Sequence, residues 1–296
     1  MSLKFKLIKS YYKTFSAISP TKAGYSAFNL FQTTQNKNIR ERELPFFERS
    51  EEFRVPFKDE DLYCYKRGNE QNPWILLVHG WNSNIASMHA IAEGLIQNGY
   101  YVIGLNLPAH GPSKLKKTNM ERCSKALIAL LDHLNPNKPL SIVSHSFGSA
   151  VVSYTLTQKN IAINQLIYLT CPNSLGEVFK DFSHQIGLNN AAHSHLVQLA
   201  ENILGQKIEH LVVSNLLHKS NFQELTLIHD EYDKVISIKD AQKIQQTNPK
   251  SKLISMQNIG HYRMLWNSEL IDLIVNQLNS SYAKHEMEEP VLAAFN

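Results

Sequence analysis

A small polar triplet, Ser144-His145-Ser146, lies where an apolar segment of the chain gives way to a helical pattern. A serine hydroxyl becomes an effective nucleophile if a neighbouring base takes its proton as it attacks a carbonyl. The sharp strand-to-helix turn that holds such a serine needs small residues two positions before it and two after it. Ser144 and Gly148 meet that need around Ser146. The pattern centred on Ser144 would need a small residue where Ile142 stands, so the spacing predicts Ser146 as the nucleophile or, otherwise, as a helix N-cap.

A base and a carboxylate that could complete such a site lie in the last third of the chain. His261 directly follows Gly260 after the last predicted strand, where a loop can carry its imidazole over the edge of a sheet. A carboxylate must then fix the tautomer of this histidine and stabilise the imidazolium. Three acidic residues follow the preceding predicted strand and stay open for this role at this point: Asp230, Glu231 and Asp233.

The elements that must position these residues alternate between strand and helix from residue 51 onward. The segments EEFRVPF and LYCYKR alternate as a β-hairpin does, and WILLVHG is a continuous apolar strand. Later strands are predicted at 101–105, 140–145, 165–170, 224–230 and 252–257. Helices are predicted at 83–98, 120–134, 147–158, 237–246 and 262–279. Such alternation implies right-handed crossovers and a mostly parallel central sheet flanked by helices, which is an α/β fold.

Residues 173–221 interrupt this alternation, because their apolar residues recur at helical spacing and they contain no convincing strand. We interpret them as a helical lid over one end of the sheet. The apolar underside of the lid packs on the core and can also line the acyl side of a pocket. The chain is therefore divided into a basic N-terminal helical arm (1–50), an α/β core (51–172 and 222–280), the lid (173–221) and a loosely held C-terminal tail (281–296).

The N-terminal arm is basic, since the first forty residues carry seven Lys and Arg and no Asp or Glu. Lysines interrupt its apolar residues, so it lacks the apolar h-region of a signal peptide. A basic amphipathic helix can make a peripheral contact with an anionic membrane surface, or it can pack on the domain with its lysines in water. We favour the second interpretation.

The composition indicates which classes of partner and which cellular location to expect. A net charge of +4 is too small to indicate nucleic-acid binding. The widely spaced Cys64, Cys123 and Cys171, and the lack of a run of about 20 apolar residues, favour a cytoplasmic protein. We expect neither a metal nor a cofactor, because zinc-motif spacing such as H-E-x-x-H does not occur among the lid histidines. These are His184, His193, His195, His210 and His218.

Four stretches, in this order along the chain, resemble segments of the α/β-hydrolase superfamily of serine hydrolases. They are LLVHGW (76–81), GYYVIGLNLPAHGPS (99–113), HDEYDKVIS (229–237) and NIGHYRML (258–265). The resemblance covers about residues 50–280 and includes the turn at Ser146. Two positions depart from the family pattern: Ser144 replaces the first glycine of G-x-S-x-G, and Asn106 stands where many relatives have Asp.

The resemblance implies an α/β-hydrolase fold and assigns roles to single residues. Asp233, which lies shortly before an apolar pair, matches the triad acid, and Asp230 is the alternative acid or the holder of an Asx-turn. The order serine, acid, histidine along the chain is also that of the family. The backbone N–H groups of Trp81 and Phe147 are expected to form an oxyanion hole. Supporting roles fall to His79, Gly80, Ser144, His145 and Gly148.

The activity that the resemblance implies is the cleavage of a small-molecule carboxylic ester or thioester through an acyl-enzyme, without a cofactor or metal. The apolar lid favours a hydrophobic acyl group, and an amide is a less favoured substrate. The alternative is a non-catalytic or membrane-surface lipid-binding protein with the same fold, because a fold alone does not establish activity. The sequence leaves the acyl group, the leaving group and the oligomeric state open.

Overall fold

A mixed β-sheet forms the centre of the molecule in a computed structural model that describes residues 3–35, 39–138 and 140–293. Its eight strands in this part of the chain are β1 (Glu51–Val55), β2 (Leu62–Arg67), β3 (Trp74–Val78), β4 (Tyr101–Leu105), β5 (Leu140–His145), β6 (Ile163–Leu169), β7 (Phe222–Asp230) and β8 (Lys252–Met256). They lie in the order β1-β2-β4-β3-β5-β6-β7-β8. β1 and β2 form an antiparallel hairpin beside β4, and all strands from β3 to β8 run parallel. The predicted hairpin and mostly parallel sheet are confirmed.

Helices cover both faces of this sheet. The α-helices of the described ranges are α1 (Leu3–Ile18), α2 (Pro20–Gln32), α3 (Leu44–Arg49), α4 (His89–Gln97), α5 (Met120–Leu134), α6 (Phe147–Leu156), α7 (Leu175–Ile186), α8 (Asn190–Leu204), α9 (Val213–Leu217), α10 (Ile238–Thr247) and α11 (Ser268–Ala293). Short 3₁₀ segments occur at Glu41–Glu43, Ile85–Met88, Ile208–His210 and Arg263–Trp266. The helix predicted at 83–98 therefore begins with a 3₁₀ segment and ends at the close of α4. Among the described helices, none is both long and apolar enough to cross a bilayer.

The central strand β3 shows why the sheet needs helices on both sides. Leu76 and Val78 lie in the core beneath α5 and α6, whereas Ile75 and Leu77 lie in the core beneath α4 and α11. All four side chains are fully buried. Because successive side chains of a strand point to opposite faces, a strand buried on both faces has a continuous apolar sequence.

The N-terminal arm and the lid pack on each other to form one helical layer, which we call the cap (α1, α2, α7 and α8). Gly24 of α2 comes so close to α8 that a Cβ on it would lie 2.6 Å from the carbonyl oxygen of Ala192. The side-chain amide of Asn189 donates to the carbonyl of Ser16 at 2.8 Å. The sequence-based division kept the arm and the lid apart, and the structure joins them around a shared apolar cluster. Its buried members are Tyr12, Ala27, Phe28, Phe179, Ile186, Leu196, Ala200 and Ile208.

The C-terminal end differs from the predicted helix at 262–279 and its loosely held tail. A 3₁₀ segment comes first, and α11 then continues to Ala293 across the predicted boundary at residue 280. The ring of Tyr282 lies 5.8 Å from that of Tyr100, and its hydroxyl lies 3.2 Å from Ser141 Oγ. The helix is therefore held against the core beyond residue 280, which the charged and polar sequence of this end does not indicate.

The backbone of α6 lies very close to the end of β3 at Gly148. A Cβ on Gly148 would lie 2.6 Å from the carbonyl oxygens of both Val78 and His79 at the end of β3. These backbone oxygens belong to a central strand and cannot move aside freely, so we expect Gly148→Ala to lower the free energy of unfolding by about 1–3 kcal/mol. Gly176→Ala in α7 is the matched control, because its Cβ would meet only Ser174 Oγ, at 3.6 Å. Urea unfolding should show no loss for the control, and equal losses for both variants would contradict the close fit.

Candidate active site

Ser146 joins β5 to α6 in a strained backbone conformation. Its φ is +54° and its ψ is −124°, and such a conformation costs a residue with a Cβ about 1–3 kcal/mol. The amide of Ser146 donates to the carbonyl of Leu169 at 2.8 Å, which ties the turn to β6. Ser144 Oγ donates to Ser149 Oγ at 2.9 Å. Ser144 therefore fits the position of the first glycine in G-x-S-x-G, because its side chain is small and its buried hydroxyl has a partner.

His261 lies between Ser146 and Asp233 and contacts both of them. Its Nε2 is 3.1 Å from Ser146 Oγ, and its Nδ1 is 2.7 Å from Asp233 Oδ2. When Nδ1–H donates to the carboxylate, Nε2 is left as an acceptor for the serine hydroxyl. The side chain of His261 is 4% exposed and that of Asp233 is 0% exposed, so bulk water hardly competes for these hydrogen bonds. The structure thus brings together the three residues chosen from the sequence.

Three hydrogen bonds stabilise the Asp233 carboxylate in its charged form. Its Oδ1 accepts from the amides of Val235 at 2.7 Å and Ile236 at 3.1 Å, and its Oδ2 accepts from His261. Burial raises the pKa of the Asp233 carboxyl, but the hydrogen bond and charge of His261, followed by the two amides, outweigh burial and hold this pKa below its ordinary value. Asp233 is therefore negative at neutral pH and can stabilise a positive charge on the imidazole.

Asp230, the alternative acid, has a different place in the site. Its Oδ1 accepts from the amide of Tyr232 at 2.8 Å, which is the Asx-turn expected of it, and its Oδ2 accepts from the amide of Gly260. These bonds tie the loop of Asp233 to the loop of His261. The acid whose carboxylate contacts the imidazole is Asp233.

Two buried histidines hold the loops that carry His261 and Asp233. His145 Nε2 donates to the carbonyl of His261 at 2.9 Å, and His229 Nε2 donates to the carbonyl of Ile236 at 3.0 Å. Burial, followed by the nearby His261, lowers the pKa of His145 to about 3, and burial also lowers the pKa of His229. Both rings are therefore neutral donors at neutral pH. No sequence pattern indicated a role for His229, although this residue is the first of the HDEYDKVIS segment.

The residues expected to form an oxyanion hole flank Ser146. Phe147 is the first residue of α6, where backbone N–H groups have no acceptor within the helix. Gly80 passes so close that a Cβ on it would lie 3.2 Å from Ser146 Cβ. The next residue, Trp81, meets Phe147 edge-on with ring centroids 5.2 Å apart. The segment of Gly80 and Trp81 therefore lies beside the candidate nucleophile.

Buried polar side chains brace the segment of Gly80 and Trp81. His79 Nδ1 donates to the carbonyl of Gly80 at 2.8 Å, and His79 Nε2 accepts from the amide of Leu107 at 3.0 Å. Burial lowers the pKa of His79 well below its ordinary value, which keeps Nε2 unprotonated and able to accept. Asn106 Oδ1 accepts from the amide of Ile85 at 3.0 Å. Asparagine thus supplies an acceptor oxygen at the position where many relatives have Asp.

An aromatic roof, formed by Phe31, Trp81, Phe147, Phe179 and Phe182, connects the segment of Gly80 and Trp81 to the cap. The ring of Phe31, near the end of α2, stacks on Trp81 with centroids 6.5 Å apart. The same ring lies 4.3 Å from Phe179 and 5.0 Å from Phe182, both on α7. Phe31 therefore joins the arm, the lid and the segment that contains Trp81. Sequence reasoning missed this residue, because its partners are distant in the chain and no local pattern marks it.

A family comparison agrees with this architecture. Residues 73–189 match a family model described as the alpha/beta hydrolase fold. The chain has the α/β-hydrolase fold. The resemblance read from the sequence is confirmed at the level of the fold, and a search of curated proteins gives no match.

Solved structures with the α/β-hydrolase fold are similar to most of the chain, although at low sequence identity. A membrane phospholipase A described as a bacterial virulence factor has a TM-score of 0.63 at 15% identity, over 81% of this chain and 90% of its own. An esterase of Pyrococcus furiosus has a TM-score of 0.61 at 18% identity, over 86% and 97% of the two chains. The thioesterase domain of the curacin biosynthetic pathway has a TM-score of 0.56 at 16% identity, over 78% and 99%.

Histidines and cysteines outside the candidate site have no arrangement in the described residues that indicates further chemistry. In the part of the chain that the structure describes, no group of three or more His, Cys, Asp or Glu side chains could hold a metal ion. His195 Nε2 lies 3.0 Å from Thr21 Oγ1, and His193 Nδ1 lies 2.8 Å from Ser183 Oγ, so these lid histidines link helices of the cap. The three cysteines are free and buried, and burial raises the pKa of each thiol, which makes them poor nucleophiles.

His145 should make the stability of the protein sensitive to acid. As the pH falls below about 6.5, the unfolded chain binds a proton at His145 that the folded chain does not bind until about pH 3. The free energy of unfolding should therefore fall by about 2–3 kcal/mol more between pH 7 and pH 4.5 in the wild type than in His145→Gln. The glutamine amide can still donate to the carbonyl of His261. Urea unfolding at both pH values measures the difference, and parallel losses in the two proteins would show that this histidine is not held neutral.

Proposed function

We propose that the protein is a serine hydrolase that cleaves a small-molecule carboxylic ester, or a thioester, through an acyl-enzyme on Ser146. The observation that carries this proposal is the unbroken series of hydrogen-bond contacts from Ser146 through His261 to Asp233. Nucleophilic catalysis requires an oriented base beside a serine that a sharp turn exposes to the substrate. A protein that only binds ligands has no need to hold Ser146 at a positive φ.

The proposed reaction has two halves that use the same base. In the first, Ser146 Oγ attacks the carbonyl carbon while His261 Nε2 takes the hydroxyl proton, and Asp233 stabilises the imidazolium. The imidazolium then gives this proton to the leaving alkoxide or thiolate as its bond to the carbonyl carbon breaks. In the second half, His261 takes a proton from water, whose oxygen attacks the acyl-enzyme, and returns the proton to Ser146 Oγ as the carboxylic acid leaves.

The amides of Phe147 and Trp81 would hold the negative oxygen of each tetrahedral intermediate. The positive end of the α6 dipole favours negative charge beside Phe147. Each such donor contributes about 3 kcal/mol in a site from which water is excluded. The bond from His79 to the carbonyl of Gly80 supports this assignment, because it fixes the segment that would present the Trp81 amide.

The aromatic roof supports a hydrophobic acyl group as the preferred part of the substrate. Its rings carry no charge, and an acyl chain placed against them gains about 0.8 kcal/mol for each buried CH₂ group. A thioester stays within the proposal because a thiolate can leave through the same steps. The names of two structurally similar proteins, an esterase and a thioesterase, are compatible with either bond.

Assays with p-nitrophenyl esters should distinguish substitutions of Ser146, His261 and Asp233 from a substitution beside them by their effect on kcat. Ser146→Ala and His261→Ala should each lower kcat at least about ten-thousandfold, because nucleophile or base is lost. Asp233→Asn should lower kcat about a thousandfold to ten-thousandfold, because the amide favours the wrong imidazole tautomer. Glu231→Gln is the matched control, since this exposed acid of the same loop bonds to Gln257 and should leave kcat unchanged.

Labelling with a fluorophosphonate probe tests the activated nucleophile without knowledge of the natural substrate. The wild type should be labelled stoichiometrically, and Ser146→Ala should lose the label. A folded wild type that shows neither labelling nor ester turnover would overturn the proposal in favour of a non-catalytic binding protein.

Phe31 should influence which acyl chains are accepted. Phe31→Ala removes apolar surface that a long acyl chain would contact, so it should lower kcat/KM for octanoyl relative to acetyl p-nitrophenyl esters by about five- to tenfold. The ratio does not depend on the amount of folded enzyme. Tyr25→Ala is the matched control, because this residue of the same helix is 61% exposed and lies outside the roof. An unchanged ratio of kcat/KM values in Phe31→Ala would show that Phe31 does not contact the acyl chain.

A further inference from the structure

The first helix of the arm has an inner and an outer face. Its inner face packs in the cap, where Tyr12 and Ser16 are buried. On its outer face Leu7, Tyr11 and Ile18 are 63%, 57% and 78% exposed. Positions 7, 11 and 18 fall on one side of a helix, so these exposed side chains form an apolar row on α1.

The second helix of the arm adds one exposed aromatic side chain to this surface. Tyr25, on α2, is 61% exposed. Ten large hydrophobic side chains are exposed in the described part of the chain, and four of them lie on α1 and α2. Such a concentration marks an interaction surface rather than the scattered apolar exposure of an ordinary protein surface.

Lysines border the apolar row, and the arm offers them no opposite charge. Lys6, Lys13 and Lys22 are exposed, and residues 1–40 contain no Asp or Glu. We call the three lysines and the four apolar residues together the outer arm face. A helix that combines an apolar row with bordering lysines is suited to the boundary between lipid headgroups and acyl chains.

We propose that the outer arm face binds the surface of an anionic lipid bilayer. The apolar row would enter the headgroup boundary, with the tyrosine rings at headgroup level, while the lysines contact anionic headgroups. A second copy of the chain fits this surface less well, because residues 1–40 contain no acid that could pair with the lysines across a symmetric contact. The two interpretations of the arm, packing on the domain and contact with a membrane, are compatible in the structure. One face of α1 packs on the domain, and the other face is exposed. This inference does not depend on the proposed hydrolase activity.

Vesicle sedimentation of the full chain tests the proposal directly. The Ser146→Ala protein is used, so that no lipid can be consumed by hydrolysis. We expect binding to phosphatidylcholine vesicles that contain about 30% phosphatidylglycerol, little binding to pure phosphatidylcholine, and weaker binding as salt is raised from about 0.1 M to about 0.5 M. The double variant Leu7→Ser/Ile18→Ser should lower the affinity at least about tenfold, and Lys6→Gln/Lys13→Gln should lower it about thirtyfold.

Matched controls carry the same changes at other exposed places. Ile203→Ser removes an apolar side chain of α8 that is 42% exposed, and Lys219→Gln/Lys250→Gln removes two exposed lysines outside the arm. Neither control should change vesicle binding. With Ser146 restored, all of these variants should cleave a water-soluble ester at the rate of the wild type. A loss of vesicle binding is thereby distinguished from a failure of the proposed hydrolase.

Three results would overturn the proposal. The first is an absence of binding to anionic vesicles. The second is binding that persists unchanged when Leu7 and Ile18 are replaced. The third is self-association that light scattering detects, that Leu7→Ser/Ile18→Ser abolishes, and that occurs without vesicle binding, because this would assign the surface to a second copy of the chain.

Discussion

The turn at Ser146 exists only because its neighbours hold a backbone conformation that a serine disfavours. The Leu169 carbonyl of β6 fixes the amide of Ser146, and Gly148 lets α6 approach the end of β3 without a Cβ in the way. Parallel strands bring their carboxyl ends to one edge of the sheet, so the loops after β7 and β8 meet this turn. Asp233 and His261 lie on these two loops, so the contacts of His261 with Ser146 and Asp233 form at this edge.

Buried polar groups, and not apolar packing alone, hold the loops of Asp233 and His261 in position beside Ser146. His145 and His229 each donate to a loop carbonyl, and Asp230 accepts from amides on both loops. Hydrogen bonds of this kind are strong in a low-dielectric interior, and an unpaired group there is costly. The same loops therefore have few alternative arrangements. The aromatic roof adds a link to the cap, because Phe31 connects the arm to the ring of Trp81.

Local patterns make much of the fold and of the candidate site readable in the sequence. Ser146 and His261 each follow a strand, with Ser144 and Gly148 two positions from Ser146 and with Gly260 directly before His261, and the alternation of strand and helix indicates the parallel sheet. Contacts between distant apolar residues leave no such pattern. The packing of the arm on the lid and the place of Phe31 therefore emerge only from the structure. The continuation of α11 past residue 280 depends on Tyr282, whose partners lie in other elements.

A crystal structure of the protein after reaction with a fluorophosphonate would reveal both the nucleophile and the groups around the phosphonyl oxygen. We predict a covalent bond from phosphorus to Ser146 Oγ and a phosphonyl oxygen about 2.7–3.1 Å from the amide nitrogens of Phe147 and Trp81. We also predict that His261 keeps its bond to Asp233. A modified residue other than Ser146, or a phosphonyl oxygen directed away from both amides, would contradict the proposed mechanism.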